Sequence, residues 1–317
     1  MQRVERIEGP RWQTPMFPSR LYSGSQDLQL MTALIETTRP PEQRADYPNR
    51  TDLYELMQSP AVQANTRLWL DGESLAGFAL VDEFDNLRFE AAPADLEALG
   101  NLFVRWGVEC AARSGARTLD AACRATDTAM IAFLEGHGFA KSGPETLSLQ
   151  RDLRKPIAAA EAPPGFAIRS ARGEEEAAAL AELHRAAFET GYMTTEKRLA
   201  IMQTPAYDPE LDLVAVAPDG RLAAYCICYV SEAGEGHAGP REGQTDPVGT
   251  RPCFQHLGLA RALLCTGLRL LKERGMDFAN LGTSSENIPM QKAAESVGFV
   301  VRYRKIWFEK EIRHEGK

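Results

Sequence analysis

The sequence predicts an α/β protein made of two tandem three-layer domains, each a mixed central sheet flanked by helices. Three observations carry this. The two halves repeat each other in one unbroken register: Asn101–Gly115 falls on Arg261–Gly275, with Gly107 on Gly267 and Gly115 on Gly275. In the same register Met130, Glu135, Gly138 and Phe139 fall on Met290, Glu295, Gly298 and Phe299. Between the halves lies a connector, K-P-I-A-A-A-E-A-P-P-G, rich in proline and small residues. Finally, the second half alternates strand and helix signals. The expected division is an extension over 1–19, a first domain over 20–153, the connector over 154–165 and a second domain over 166–317.

The second copy is the more legible. Phe166–Ser170 reads as a short strand. Glu174–Phe188 is an Ala/Leu-rich amphipathic helix and Thr195–Met202 another. Leu211–Ala217 and Leu222–Val230 read as strands around an Asp219-Gly220 turn. Gly243–Thr250 is a strand, Leu259–Arg274 a long helix closed by Gly275 in the left-handed position, and Phe278–Gly282 a buried strand. Ile288–Val297 is a helix with Asn287 as N-cap and a proline in its first turn. Val300–Ile312 is the last strand region. Upstream, the turn-then-strand signals starting at Asp71 and Asp219 match each other with one residue of slippage.

Composition narrows the function classes. With 317 residues, 44% hydrophobic and 25% charged, the chain is globular, and the net charge of −8 with a pI near 5.4 argues against nucleic acid or an anionic membrane as the main partner. The longest apolar run, Leu222–Val230, is about half of what a bilayer span needs. Residues 1–20 lack the apolar stretch of a secretory signal, so a soluble, cytoplasmic protein is expected. The six cysteines form no C-x-x-C pair and the five histidines no H-E-x-x-H, so no metal is expected. Cys226 and Cys228 should share one strand face as buried thiols.

The chemistry concentrates in D-P-V-G-T-R-P-C-F-Q-H-L-G-L-A, from Asp246 to Ala260, followed by the long helix. A strand, a loop and a helix N-terminus entered through Gly258 would present free backbone N–H groups and the positive end of the helix dipole, which suits a pyrophosphate. Gly258 lets the backbone approach closely, and Ala260 keeps the next position small. The competing reading is an ordinary Gly turn into a helix. Pro247 cannot donate to a ladder, so it marks a bulge or an edge. A bulge beside Asp246 would splay the strand and free backbone groups.

The loop P-V-G-T-R-P-C-F-Q-H-L-G-L-A-R-A-L-L and the tail N-x-x-M…E-S-V-G-F from Asn287 to Phe299 resemble the GNAT acetyltransferase superfamily over nearly all of residues 166–312. Residues 20–153 look like a worn copy, clearest in F-L-E-G-H-G-F from Phe133 to Phe139, and the tandem layout is similar to that of mycothiol synthases. The resemblance implies acetyl-CoA as co-substrate. Backbone amides of Gln255, His256, Leu257, Gly258, Leu259 and Ala260 would hold its pyrophosphate. Val248 and Thr250 would pair with its pantetheine arm, the Val248 N–H facing the thioester carbonyl. Asn287 would bond pantetheine, cap its helix, or do both.

Acetylating an amine requires a neutral nucleophile, whereas an alkyl amine has a pKa near 10.4, so a base is useful. Relatives often place a Glu on this strand, which here falls near Gln244. Asp246, two residues on and on the same face, is the candidate base and Glu242 the fallback; a solvent-facing turn carboxylate is the other reading of Asp246. Many relatives also carry a Tyr as proton donor where this chain has Ala294. Tyr192 and Ser285 are the available substitutes. His256 and Leu257 stand where relatives commonly have Arg, which implies fewer charged phosphate contacts.

The first copy departs further. There Gly258, Gln255 and Leu257 are replaced by Ala98, Asp95 and Glu97, and Asp246, Val248 and Asn287 by Asn86, Arg88 and Asp127. Two carboxylates at a phosphate cradle repel it, so the N-terminal domain is expected to be structural. The expected activity is N-acetylation of a small-molecule amine by the C-terminal domain. The alternative is an acyl-CoA-binding sensor or scaffold with this fold.

Overall fold

A computed structural model describes residues 17–44, 46–159, 161–230 and 240–313. Most of the expected N-terminal extension and of the 231–241 loop, a candidate border of the acceptor pocket, lies outside the described residues. The first half runs β1 (Ser19–Leu21), α1 (Ser25–Thr38), α2 (Arg50–Leu56), α3 (Pro60–Ala64), β2 (Thr66–Asp71), β3 (Ser74–Val81), β4 (Leu87–Ala91), α4 (Leu96–Ser114), β5 (Thr118–Arg124), α5 (Thr128–Gly136) and β6 (Ala140–Asp152). The second continues with β7 (Ala167–Ser170), α6 (Ala177–Phe188), α7 (Thr195–Met202), β8 (Asp212–Val216), β9 (Leu222–Val230), β10 (Glu242–Thr250), α8 (Leu259–Glu273), β11 (Phe278–Ser284), α9 (Ile288–Ser296) and β12 (Val300–Glu311).

These bounds follow the sequence reading of the second copy closely. One differs for a visible reason. The helix expected from Glu174 begins as a 3₁₀ turn over Gly173–Glu176, because the Glu176 carboxylate takes a bidentate pair of bonds from Arg169 and a third from the Arg172 N–H. Gly275 has φ +77° and Gly115 φ +78°, the left-handed positions expected of both.

The chain forms two compact units that cut across the linear division. Among the described residues, one contains those of 17–44, 59–119 and 312–313; the other contains those of 46–58 and 120–311. The first unit is a four-stranded antiparallel sheet, β1-β2-β3-β4, with a core that includes Leu68, Phe78 and Phe103.

The second unit holds an eight-stranded mixed sheet in the order β5-β12-β6-β11-β10-β9-β8-β7. The final strands of the two sequence copies are exchanged: β6, from the first, pairs antiparallel with β11 of the second, and β12 lies between β6 and β5. The connector thus separates the repeats in sequence without separating the units.

Strand β9 shows how the layers form. It is buried on both faces, and alternate residues part company. Cys226 and Cys228 join the core under α8, with Leu263, Leu264, Leu268 and Leu271. Tyr225, Ile227 and Tyr229 pack on the other face with Leu180 and Leu183 of α6. A Cβ added at Gly267 of α8 would lie 2.5 Å from the Cys228 Sγ, so the helix sits as low on the sheet as a glycine allows. Gly267→Ala should therefore destabilise by about 1–3 kcal/mol through overpacking. Thermal unfolding should show a Tm drop on the order of 5 °C.

Candidate active site

The site begins where β10 changes its pairing. Over Glu242, Gly243 and Gln244 the strand runs parallel to β11, and the register ends at Gln244↔Asn280. On its other side β10 stays paired with β9, but the register shifts between Thr245↔Cys228 and Val248↔Cys226. Asp246 and Pro247 thus oppose Ile227, which is the bulge that Pro247 predicted, with the Asp246–Pro247 peptide cis. Beyond it β10 and β11 diverge, and the β11-facing edge of Val248, Gly249 and Thr250 is left outside that ladder.

At the bulge Asp246 lies on the face opposite α8. Its carboxylate accepts from the Gly282 N–H of β11, and an added Cβ on Gly282 would stand 3.3 Å from its Oδ2. The side chain therefore bridges β10 and β11 just past the end of their ladder. Burial pushes its pKa up to about 7, against the Gly282 hydrogen bond and with help from the Asp52 charge. The fallback base, Glu242, is engaged by the Asn280 amide at 2.7 Å, by Arg302 at 3.3 Å and by Gln150 at 3.4 Å.

Past Thr250 the chain makes a short 3₁₀ turn, Pro252–Phe254, and enters α8 through exposed residues Gln255, His256, Leu257 and Gly258. Arg251 anchors the turn by donating to the Leu222 carbonyl at 2.8 Å and to Glu182 at 3.1 Å. Gly258 has φ +86°, and a Cβ there would meet nothing within 4 Å. No side chain caps α8 through its N-cap residue and its first turn carries no acid, so the amides of Leu259 and Ala260 begin a helix without local competition for an anion. His256, at φ +63°, joins Gly258 in the left-handed region.

The corresponding turn of the first copy is different: Asp95 precedes α4 at φ −96°, and Glu97 lies in the first turn.

The remaining expected residues are spread around this frame. Asn287 caps α9, its Oδ1 accepting from the Met290 N–H at 3.2 Å. Tyr192 lies in the loop before α7, with the Lys197 ammonium 3.6 Å above its ring. The Ser285 N–H donates to the Glu145 carbonyl at 2.8 Å. Ala294 is fully buried in the core beneath α8.

Sequence reasoning passed over the groups on the α6 face. His184 of α6 bonds the Tyr225 hydroxyl at 2.6 Å, and burial with the Arg198 and Arg185 charges lowers its pKa to about 4. Arg198 pairs with the buried Asp212, which also accepts from the Tyr207 hydroxyl at 2.7 Å. Glu55 of α2 interacts with the Tyr229 hydroxyl, and burial together with the Asp52 charge raises its pKa to about 7. The polar cluster around Asp246 thus includes a residue from the first half of the chain.

The comparisons with known proteins agree with this frame. Residues 177–299 match the Acetyltransferase (GNAT) family. A protein named mycothiol acetyltransferase from Acidothermus cellulolyticus is 31% identical over 257 residues, which cover 74% of this chain and 76% of that one. Its namesake from an Arthrobacter species is 34% identical over 131 residues, 40% of each chain. Among solved structures, a GCN5-related N-acetyltransferase from Sphaerobacter thermophilus superposes with TM-score 0.68 at 22% identity, over 95% of this chain and 97% of that one. A tandem GNAT protein from the clavulanic acid biosynthesis pathway gives 0.67 at 18%, over 92% and 95%.

The chain belongs to the GNAT acetyltransferase family. By class it is an acyltransferase, with acetyl-CoA as donor. Among the described residues no helix is long and apolar enough to cross a membrane.

Proposed function

We propose that the second compact unit transfers the acetyl group of acetyl-CoA to a primary amine of a small molecule, with Asp246 as general base. The observation that carries this reading is the bulge at Asp246–Pro247: it holds a carboxylate, its pKa pushed by burial up to about 7, against the Gly282 N–H just past the end of the β10–β11 ladder. The name shared by the relatives supports a small-molecule acceptor.

The backbone amides of Gln255–Ala260 bind the pyrophosphate, Val248 and Thr250 align the pantetheine arm, and Asn287 borders it. In the reaction the acceptor ammonium first loses a proton to Asp246. The amine nitrogen then attacks the thioester carbonyl, a C–N bond forms, and the C–S bond breaks. The second nitrogen proton ends on the departing CoA sulfur, whose pKa near 8.5 makes it an adequate leaving group even with Ala294 in place of a Tyr. The Val248 N–H supports the developing oxyanion.

Calorimetric titration with acetyl-CoA, followed by thiol release on an amine panel, tests the reading. One site per chain and thiol release that depends on amine are expected. Two sites would mean that the Asp95–Glu97 turn also binds the donor. No release with any amine would leave a donor-binding protein without transfer.

A further inference from the structure

The exchange of the last strands is reciprocal down to single bonds. Strand β6, from the first sequence copy, sends the buried Arg151 to the Val297 carbonyl at the end of α9, 2.9 Å away. Strand β12, from the second, sends Lys310 to the His137 carbonyl at the end of α5, 2.7 Å away. Val297 and His137 hold the same place in the repeat, just before Gly298 and Gly138, and each cation meets the negative end of a helix dipole. The backbone follows the same symmetry. The Ser285 N–H donates to the Glu145 carbonyl at 2.8 Å, and the Ala125 N–H to the Arg304 carbonyl at 2.9 Å. Specific bonds thus fix β6 beside β11.

The other face of β6 bears on the site. Leu149 lies in the core under α8 with Ala279 and Leu281, so the next residue, Gln150, stands on the opposite face, which is that of Asp246. There four neighbouring strands each give one side chain to a single network. Gln150 of β6 donates to the Asn280 Oδ1 of β11 at 3.1 Å, and the Asn280 Nδ2 donates to Glu242 of β10 at 2.7 Å. Glu242 also accepts from Gln150 at 3.4 Å and from Arg302 of β12 at 3.3 Å. The network sits on a short ladder: β10 and β11 share the pairs Glu242↔Phe278, Gly243↔Ala279 and Gln244↔Asn280 before they part. Two residues beyond Asn280 comes Gly282, whose N–H holds the Asp246 carboxylate. Asn280 spends its acceptor on β6 and its donor on β10, so its amide is oriented only while Gln150 supplies the first bond.

We infer that Gln150 is a positioning residue of the transfer site: by setting the Asn280 amide it ties β11 to β10 at Glu242, and so keeps the Gly282 N–H on the Asp246 carboxylate. The inference rests on Asp246 being the base, as proposed above. It gives the first sequence copy a part in the reaction through β6.

The test follows amine transfer against pH in three variants. Besides Gly282, the groups acting on Asp246 are Asp52 and Glu55 of α2 and Tyr225 of β9, and the variants leave all of them in place. Gln150→Met keeps the length and adds no charge. A weaker Gly282 bond leaves burial less opposed at Asp246, so the activity limb near 7 should move to higher pH. kcat/KM for the amine should fall roughly fivefold at pH 7, within what one hydrogen bond to a charged group contributes, and by less as pH rises. The acetyl-CoA affinity should stay unchanged, since the 255–260 turn is untouched. Gln150→Glu alone should be poorer still, with two carboxylates on one amide. Gln150→Glu combined with Glu242→Gln should restore the wild-type profile, because Asn280 can turn its amide over and serve the exchanged pair. A purely structural Gln150 would lower the Tm and leave the limb in place. An unmoved limb in Gln150→Met, or a double variant no better than Gln150→Glu, overturns the inference and leaves acetyl transfer standing. Full turnover with an unchanged limb in Asp246→Asn overturns the base reading and the inference with it.

Discussion

Gly258→Glu abolishes acetyl-CoA binding, with a loss of at least roughly 100-fold in calorimetric titration, or about 2.8 kcal/mol. Two effects add. The glutamate side chain enters the space in front of the α8 N-terminus, where at present an added Cβ meets nothing within 4 Å. It also brings a negative charge to the phosphate position: about 4 kcal/mol of repulsion at 4 Å with an effective dielectric of 20. The same open space makes the experiment clean. The new Cβ strikes no neighbour, so the cost to folding at that atom is limited to holding a non-glycine residue at φ +86°, about 1 kcal/mol. Gly258→Ala carries that cost without the charge and should lose less than tenfold in affinity. Wild-type affinity in Gly258→Glu would remove the 255–260 turn from the donor site.

The turn was readable in the sequence because its signals are local. Gly258 before a helix pattern, Pro247 inside a strand pattern and Asn287 three residues before Met290 each follow from backbone chemistry within a few residues, and the structure has the positive φ, the bulge and the cap. The exchange of β6 and β12 was not readable. Both are long strands with the composition of their own copies, and nothing within a strand names its neighbour. Glu55 was hidden for the same reason. Its helix has seven residues, too few for a periodic pattern, and its significance comes from Tyr229 and Asp246 in the other half of the sequence. A capping box at Asn49 and Asp52 could have located the helix, though not the sheet face that it covers. Between the candidate bases the sequence had only strand parity to offer; the structure adds that Glu242 is tied to Asn280, Arg302 and Gln150 while, among the described residues, Asp246 is held only by the Gly282 N–H.

Asp246→Asn should lower kcat/KM for the amine by roughly 10²- to 10⁴-fold, the range that general-base catalysis supplies. An alkyl amine with a pKa near 10.4 is almost wholly protonated at pH 7, so without a base only a small neutral fraction can attack. Asn keeps an oxygen to accept the Gly282 N–H, so the fold at the bulge should survive. The pH dependence separates loss of a base from loss of shape. Wild-type activity should rise as pH increases through about 7, where Asp246 gives up its proton, and the Asn variant should lack that limb. Stability should move the opposite way. The folded-state pKa lies above the unfolded value near 3.9, so the folded chain holds this proton to higher pH. The stabilisation that this gives is complete below about pH 4 and is lost as pH rises through about 7. Asp246→Asn abolishes that decline and should unfold at a higher temperature than wild type at pH 8, while being much the poorer enzyme. A variant that retains both wild-type turnover and the limb near pH 7 would shift the base to Glu55, the other carboxylate on this face that burial holds near neutral pH.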